Sequence, residues 1–446
     1  MTPEPVLPVY GSGSIAEVVP ALLARGRSDS DALGALLPPA ARTADQVVLL
    51  VLDGLGWEQL RARPHLAPTL SSAAGVERPI TSIAPTTTAA ALTSITTGTP
   101  PSRHGILGYR LAEGDQILNM LRWTLGPAAA DARQAVPATA YQQQPPFAGS
   151  PQPVPVVSKA DFGGTGFTAA HLGDAPMLDY RVPSSLPVEV SQALGTGAPL
   201  VYAYYDGIDR VAHAHGLGAH YDAELRATDR LVAEIVSDLP SGAVVVVTAD
   251  HGQIDVGAAV EVLGRDAMAL VRFFSGEGRF RWLHARPGAA ADLLALAAER
   301  YGATTWVRSR DQVVDEGWFG GPLTARFAER LGDVVLAPHA AIAFADVAYY
   351  LVLVVEPQNA IRQMPALASR FSLITAINEA VGIGLVLLGG LLADRLGVRR
   401  CMQTCCLALA AMILPADLLM QQATTVSLAI GQLMAVVPLM LILGAY

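Results

Sequence analysis

Hydrophobic positions along the chain fall into three recurring apolar runs, each closed by an acid. Residues 47–52 (Val-Val-Leu-Leu-Val-Leu) end at Asp53-Gly54, residues 199–205 end at Asp206, and residues 243–249 end at Asp250-His251-Gly252. Runs of this length without polar alternation are the pattern of strands buried on both faces of a parallel sheet. Between them lie helical stretches, chiefly 222–239, and an earlier one at 15–25. Strands alternating with helices predict an α/β domain with a largely parallel sheet flanked by helices over residues 1–345. Residues 124–160, rich in Pro, Ala and Gln, read as a surface excursion, and 255–320, with short elements and clustered charge, as a small cap insertion. From about residue 346 charge becomes sparse. The runs 371–393, 401–419 and 425–445 each approach the roughly 20 residues of a membrane-spanning helix, so the pattern predicts an all-α, transmembrane tail over 346–446.

Composition narrows the function. The 446 residues carry 30 Lys+Arg against 39 Asp+Glu, a net charge of -9, and Lys159 is the only lysine. Nothing here supplies the basic stripe of a nucleic-acid binder. The three cysteines, Cys401, Cys405 and Cys406, all lie in the tail, so the preceding four hundred residues hold neither a disulfide nor a thiolate metal site. The first residues have no basic region followed by an apolar one, which predicts no signal peptide and a cytoplasmic catalytic domain.

The acids at the run ends are candidate chemistry, because ligands of open α/β sheets bind at the carboxyl ends of the strands. Asp209 and His213 are four residues apart, so one helical turn aims both at one cation, a carboxylate–imidazole pair suited to Zn2+ or Mn2+. Asp206 and His215 read as groups behind these ligands. Pro85-Thr86-Thr87-Thr88, followed by alanines and stopped at Gly98, predicts a helix starting near Thr88. A hydroxyl at that end feels the positive end of the helix dipole and unpaired N–H groups, which favour an alkoxide and an anionic phosphate.

In order and rough spacing, Asp53-Gly54, Pro85 to Thr88, Thr97-Gly98, Arg103-His104-Gly105-Ile106, Asp209 with His213, and Asp250-His251-Gly252 resemble the alkaline phosphatase superfamily, in its type I phosphodiesterase/nucleotide pyrophosphatase branch. The resemblance covers about 5–345. It implies an alkaline phosphatase-like fold and hydrolysis of a small phosphate ester. It also implies Thr88 as the catalytic nucleophile and two divalent cations, Zn2+ with Mn2+ as the alternative. Asp53, Asp250 and His251 would hold the cation that activates Thr88, and Asp209 and His213 the other. The second cation's third ligand, a histidine near the C-terminus, has no good counterpart; His339 is the last histidine and sits in a poor context. That gap implies an impaired second site. Tyr109 stands where the branch often places an asparagine on the phosphate oxygens. A sulfatase on the same fold is disfavoured, since its Cys or Ser nucleophile is a threonine here.

Residues 390–400, with Arg395, Arg399 and Arg400 between apolar runs, resemble a cytoplasmic loop of major facilitator superfamily transporters, so 365–446 reads as a transporter-like fragment and the membrane as a partner. One alternative from another class therefore stays open: a membrane-anchored or transport-related protein whose soluble part binds ligand without turnover.

Overall fold

The computed structural model describes residues 3–26, 34–73, 79–126 and 129–345, with isolated positions beyond. The chain divides into two units, the first made of residues 1–259 and 264–343, the second of 260–263 and 344–446.

The first unit is organised around a five-stranded parallel sheet. Its order is Met177–Tyr180, Val156–Lys159, Leu200–Tyr205, Gln46–Leu52, Ala243–Thr248. Alternation along Gln46–Leu52 explains why an unbroken apolar run was needed. Val47, Leu49 and Val51 join one core with the buried helix Thr88–Thr97. Val48, Leu50 and Leu52 join the other, with apolar residues of helices Leu186–Gly195 and Ala219–Ser237. Successive side chains point to opposite faces, so both faces must be apolar where helices cover both. Ala243–Thr248 differs from expectation. It is one of the two edge strands, only half-buried, and Val247 is exposed.

Two strands of this sheet, Val156–Lys159 and Met177–Tyr180, escaped the sequence reading. Val156–Lys159 lies inside the stretch taken for a surface excursion, yet Val156 and Val157 are fully buried, and Tyr141 and Phe147 nearby are buried too. Tyr141 is held between the Arg330 guanidinium, 3.5 Å over its ring, and the edge of Trp123. Irregularly spaced aromatic anchors in a Pro- and Gln-rich segment carry no period to detect. A second, antiparallel sheet orders Val271–Glu277, Phe280–Ala285, Val334–Pro338 and Thr305–Ser309, and takes in much of the stretch expected as a cap. Its Phe280 and Trp282 belong to the same core as Val47. Residues 110–131 add a small antiparallel sheet.

The expected transmembrane tail is corrected. Among the described residues no helix is long and apolar enough to cross a membrane. The longest of them, Ala219–Ser237, has 19 residues but places charges such as Asp222, Glu224, Arg226 and Arg230 along its length. Apart from the isolated positions Arg395, Thr404, Met412, Ile430, Met434 and Val437, the runs 371–393, 401–419 and 425–445, the loop 390–400 and the three cysteines lie outside the described residues. The described residues thus form a mixed parallel and antiparallel sheet–helix core, with no spanning helix among them.

Candidate active site

Three adjacent strands deliver their terminal acids to one rim. Asp53 follows Gln46–Leu52 and is 3% exposed; Asp250 follows Ala243–Thr248 and is fully buried. Ligand atoms of Asp53, Asp250 and His251 lie within 4.8 Å of one another. His251 Nε2 is 3.3 Å from Asp53 Oδ1 and 3.7 Å from Asp250 Oδ2. These are charge contacts rather than aligned hydrogen bonds, because Nε2 pairs with Thr88 Oγ1 at 3.1 Å. Asp53 Oδ1 and Asp250 Oδ2 are buried without a hydrogen-bond partner.

Leaving two such oxygens unpaired is costly unless a cation is meant to meet them. Two carboxylates and an imidazole converging on one point form a donor set that suits a divalent metal ion. Electrostatics agree. Burial first, and then the Asp250 charge, push the Asp53 carboxyl up to about 8, with His251 opposing. Burial works against the His251 charge, but Asp250 and Asp53 outweigh it and hold the imidazole well above its usual range. Without a cation, the cluster retains protons instead.

Thr88 is the first residue of helix Thr88–Thr97, and the helix stops at Gly98 in the left-handed region, φ 65°. Asp53, Thr88, Leu92, Phe162, Tyr204 and Asp209 are among the residues lining a cavity of about 340 Å³. Asp209 and His213 share a face of helix Gly207–His215, with His213 Nε2 3.4 Å from Asp209 Oδ1. They do not join the Asp53 cluster as a group of ligands, although the Asp209 charge reaches both Asp53 and His251. Asp206 ion-pairs with Lys159 at 3.6 Å and Arg210 at 3.5 Å, while His215 stacks on His220 at 4.1 Å. Tyr109 accepts a hydrogen bond from Asn119 Nδ2 at 3.0 Å, and His339 lies against Trp306.

Three residues at the site were not singled out from the sequence. Tyr204 donates its hydroxyl to Asp53 Oδ2. Gln253 Nε2 donates to Asp209 Oδ1 at 2.6 Å. Glu277 belongs to the second sheet and keeps part of its surface exposed, yet protein encloses its carboxyl and pushes it up to about 7, against the pull of His251 and a hydrogen bond from Thr87. Tyr204 was legible as part of the strand 199–205; the others had no motif.

No curated protein sequence matches the chain. Among solved structures, it is similar to murine ectonucleotide pyrophosphatase/phosphodiesterase 5, at 13% identity and a TM-score of 0.50, over 67% of this chain and 80% of that one. Another is phosphonoacetate hydrolase from Sinorhizobium meliloti 1021, at 20% identity and a TM-score of 0.48, over 68% and 83%. At 13% identity the first of these likenesses speaks to fold alone. The family model of type I phosphodiesterase / nucleotide pyrophosphatase matches residues 47–350, a span that holds every acid and imidazole of the site and ends before the apolar run that starts at 371. That match settles the class as a phosphoric ester hydrolase with a small phosphate-ester substrate, and nothing in it supports a transporter-like fragment or a membrane partner. The chain belongs to the type I phosphodiesterase/nucleotide pyrophosphatase family, within the alkaline phosphatase superfamily.

Proposed function

We propose that the protein hydrolyses phosphodiester or pyrophosphate bonds with Thr88 as nucleophile and two divalent cations, Zn2+ or Mn2+. Asp53, Asp250 and His251 hold one cation, and Asp209 and His213 the other. The observation that carries this reading is the Thr88 hydroxyl at a helix start, 3.1 Å from His251 Nε2, beside two buried carboxylates that each keep an unpaired oxygen. Divalent cations bound there supply charge neutralisation at phosphorus and make a hydroxyl more acidic.

The chain's own residues account for the rest. Thr88 Oγ1 gives up its proton and bonds to phosphorus while the ester P–O bond breaks, and the leaving alkoxide carries off the electron pair and takes up one proton in exchange. Water then attacks the phosphothreonine, which releases the phosphate product and restores the hydroxyl. Backbone N–H groups in the first turn of Thr88–Thr97 have no intrahelical acceptor, and they face the phosphoryl oxygens. The cavity, apolar at Leu92, Phe162 and Phe167, receives the ester group and excludes water.

Release of nitrophenol from bis(nitrophenyl) phosphate tests this. Activity should require a divalent cation, and Thr88→Ala should lower it by about a thousand-fold or more with metal content unchanged. A Thr88→Ala variant within about tenfold of the parent would remove Thr88 from the mechanism.

A further inference from the structure

Asp209 and His213 are two ligands, one short of the three protein groups that a catalytic metal position ordinarily supplies. Among the described residues no further His, Cys, Asp or Glu joins them: the one group of three such residues is Asp53, Asp250 and His251. The side chain that arrives at Asp209 from the rest of the site is Gln253, its Nε2 2.6 Å from Asp209 Oδ1.

That approach is built rather than incidental. Gln59, on helix Trp57–Ala62, clamps the Gln253 main chain from both sides. Its Oε1 accepts from the Gln253 N–H at 3.2 Å, and its Nε2 donates to the Gln253 carbonyl at 2.8 Å. Gly54 supplies the space. A Cβ there would lie 2.6 Å from Gln253 Nε2 and 3.1 Å from Asp209 Oδ1, and its φ of +72° already requires glycine. The residue after Asp53 thus has no side chain at the place where the Gln253 amide meets the Asp209 carboxylate.

We propose that Gln253 is the third protein ligand of a cation held by Asp209 and His213, through Oε1 after its amide turns over. The inference rests on the reading of Asp209 and His213 as a metal-binding pair. With no cation between them, the NH2 end must face the carboxylate. With a cation there, half a turn about the last side-chain bond presents the carbonyl oxygen in its place, and the two ends of the amide have nearly the same shape. Carboxylate, imidazole and amide oxygen form a harder set than one with two imidazoles. The position therefore accepts Mn2+ readily and discriminates less in favour of Zn2+.

Calorimetric titration of the full, chelator-stripped chain with Mn2+, with elemental analysis of the product, reads this directly. The parent should take up two equivalents. Gln253→Ala should keep the first and weaken the second by about tenfold or more. Gln253→Glu separates a ligand from a hydrogen-bond donor: a carboxylate ligand tightens the second equivalent, whereas losing a donor and adding repulsion against Asp209 weakens it. Two equivalents of unchanged affinity in Gln253→Ala, with the second lost in Asp209→Ala, would overturn the role of Gln253 alone. If Asp209→Ala also keeps both, or the parent binds only one, the metal reading of Asp209 and His213 falls, and this inference with it.

Discussion

Each buried carboxylate of the site has one oxygen fixed by protein and one left open. Tyr204 holds Asp53 Oδ2, and the N–H groups of Gly54 and His251 hold Asp250 Oδ1 at 3.1 and 2.9 Å. The open atoms, Asp53 Oδ1 and Asp250 Oδ2, are the two that approach His251. Tyr204→Phe keeps the ring in its packing and removes only the fixing hydrogen bond, so the first Mn2+ equivalent should weaken by about 10- to 100-fold in the same titration. Unchanged affinity would mean that strand geometry alone aims Asp53. The protons that stand in for a cation give a second test. The Asp53 pKa is raised from 3.8 to about 8, so folding takes up a proton that the unfolded chain has released, and stability falls as pH rises through that window. His251, raised above 6.5, adds stability that is full below 6.5 and is lost as pH climbs through its folded value, in the same direction. Melting temperature of chelator-treated protein should therefore drop between about pH 5 and about pH 9, and saturating cation should flatten the slope. A melting temperature that rises over that range would contradict the buried cluster. Asp53, Asp250 and His251 were readable because they close apolar runs. Gln253 was not, because a glutamine one residue beyond a glycine has no signature until the fold brings Asp209 beside it.

At the scale of elements, legibility followed length and burial. Gln46–Leu52 and Leu200–Tyr205 are six or seven residues, almost wholly buried, and stand out as unbroken apolar runs. Val156–Lys159 and Met177–Tyr180 are four residues each, the first preceded by Pro151, Pro153 and Pro155 and the second half-exposed at the sheet edge, so neither shows a pattern. The helix Thr88–Thr97 was legible from its alanines and its stop, but its tertiary demand was not. Every residue from Ala89 to Thr97 is buried, and Thr93, Thr96 and Thr97 return their hydroxyls to carbonyls four residues back. The stop itself is tight: a Cβ at Gly98 would lie 2.5 Å from Pro20 Cγ, at a φ of +65°. Gly98→Ala should cost about 1–3 kcal/mol in denaturant unfolding, through left-handed strain plus the clash. A change below about 0.5 kcal/mol would show that Pro20 yields freely.

For the whole molecule, composition misled where position informed. A charge content of 15% and three long apolar runs suggested a membrane protein, yet every residue placed at the candidate site, the poorly matched His339 apart, lies between Asp53 and Glu277, within the family match over 47–350. Three neighbouring strands bring Asp53, Asp206 and Asp250 to one rim, the helix after Asp206 adds Asp209, and the helix at Thr88 reaches the same place. If Gln253 completes the second cation position, no ligand is needed from beyond the family match. A chain ending at Tyr350 should then take up two equivalents of Mn2+ with affinities within about threefold of the full chain, and hydrolyse bis(nitrophenyl) phosphate at a matching rate. Loss of only the second equivalent would locate its third ligand after residue 350 and refute the assignment to Gln253. Loss of both, with a lowered melting temperature, would show that residues after 350 support the fold rather than the metal.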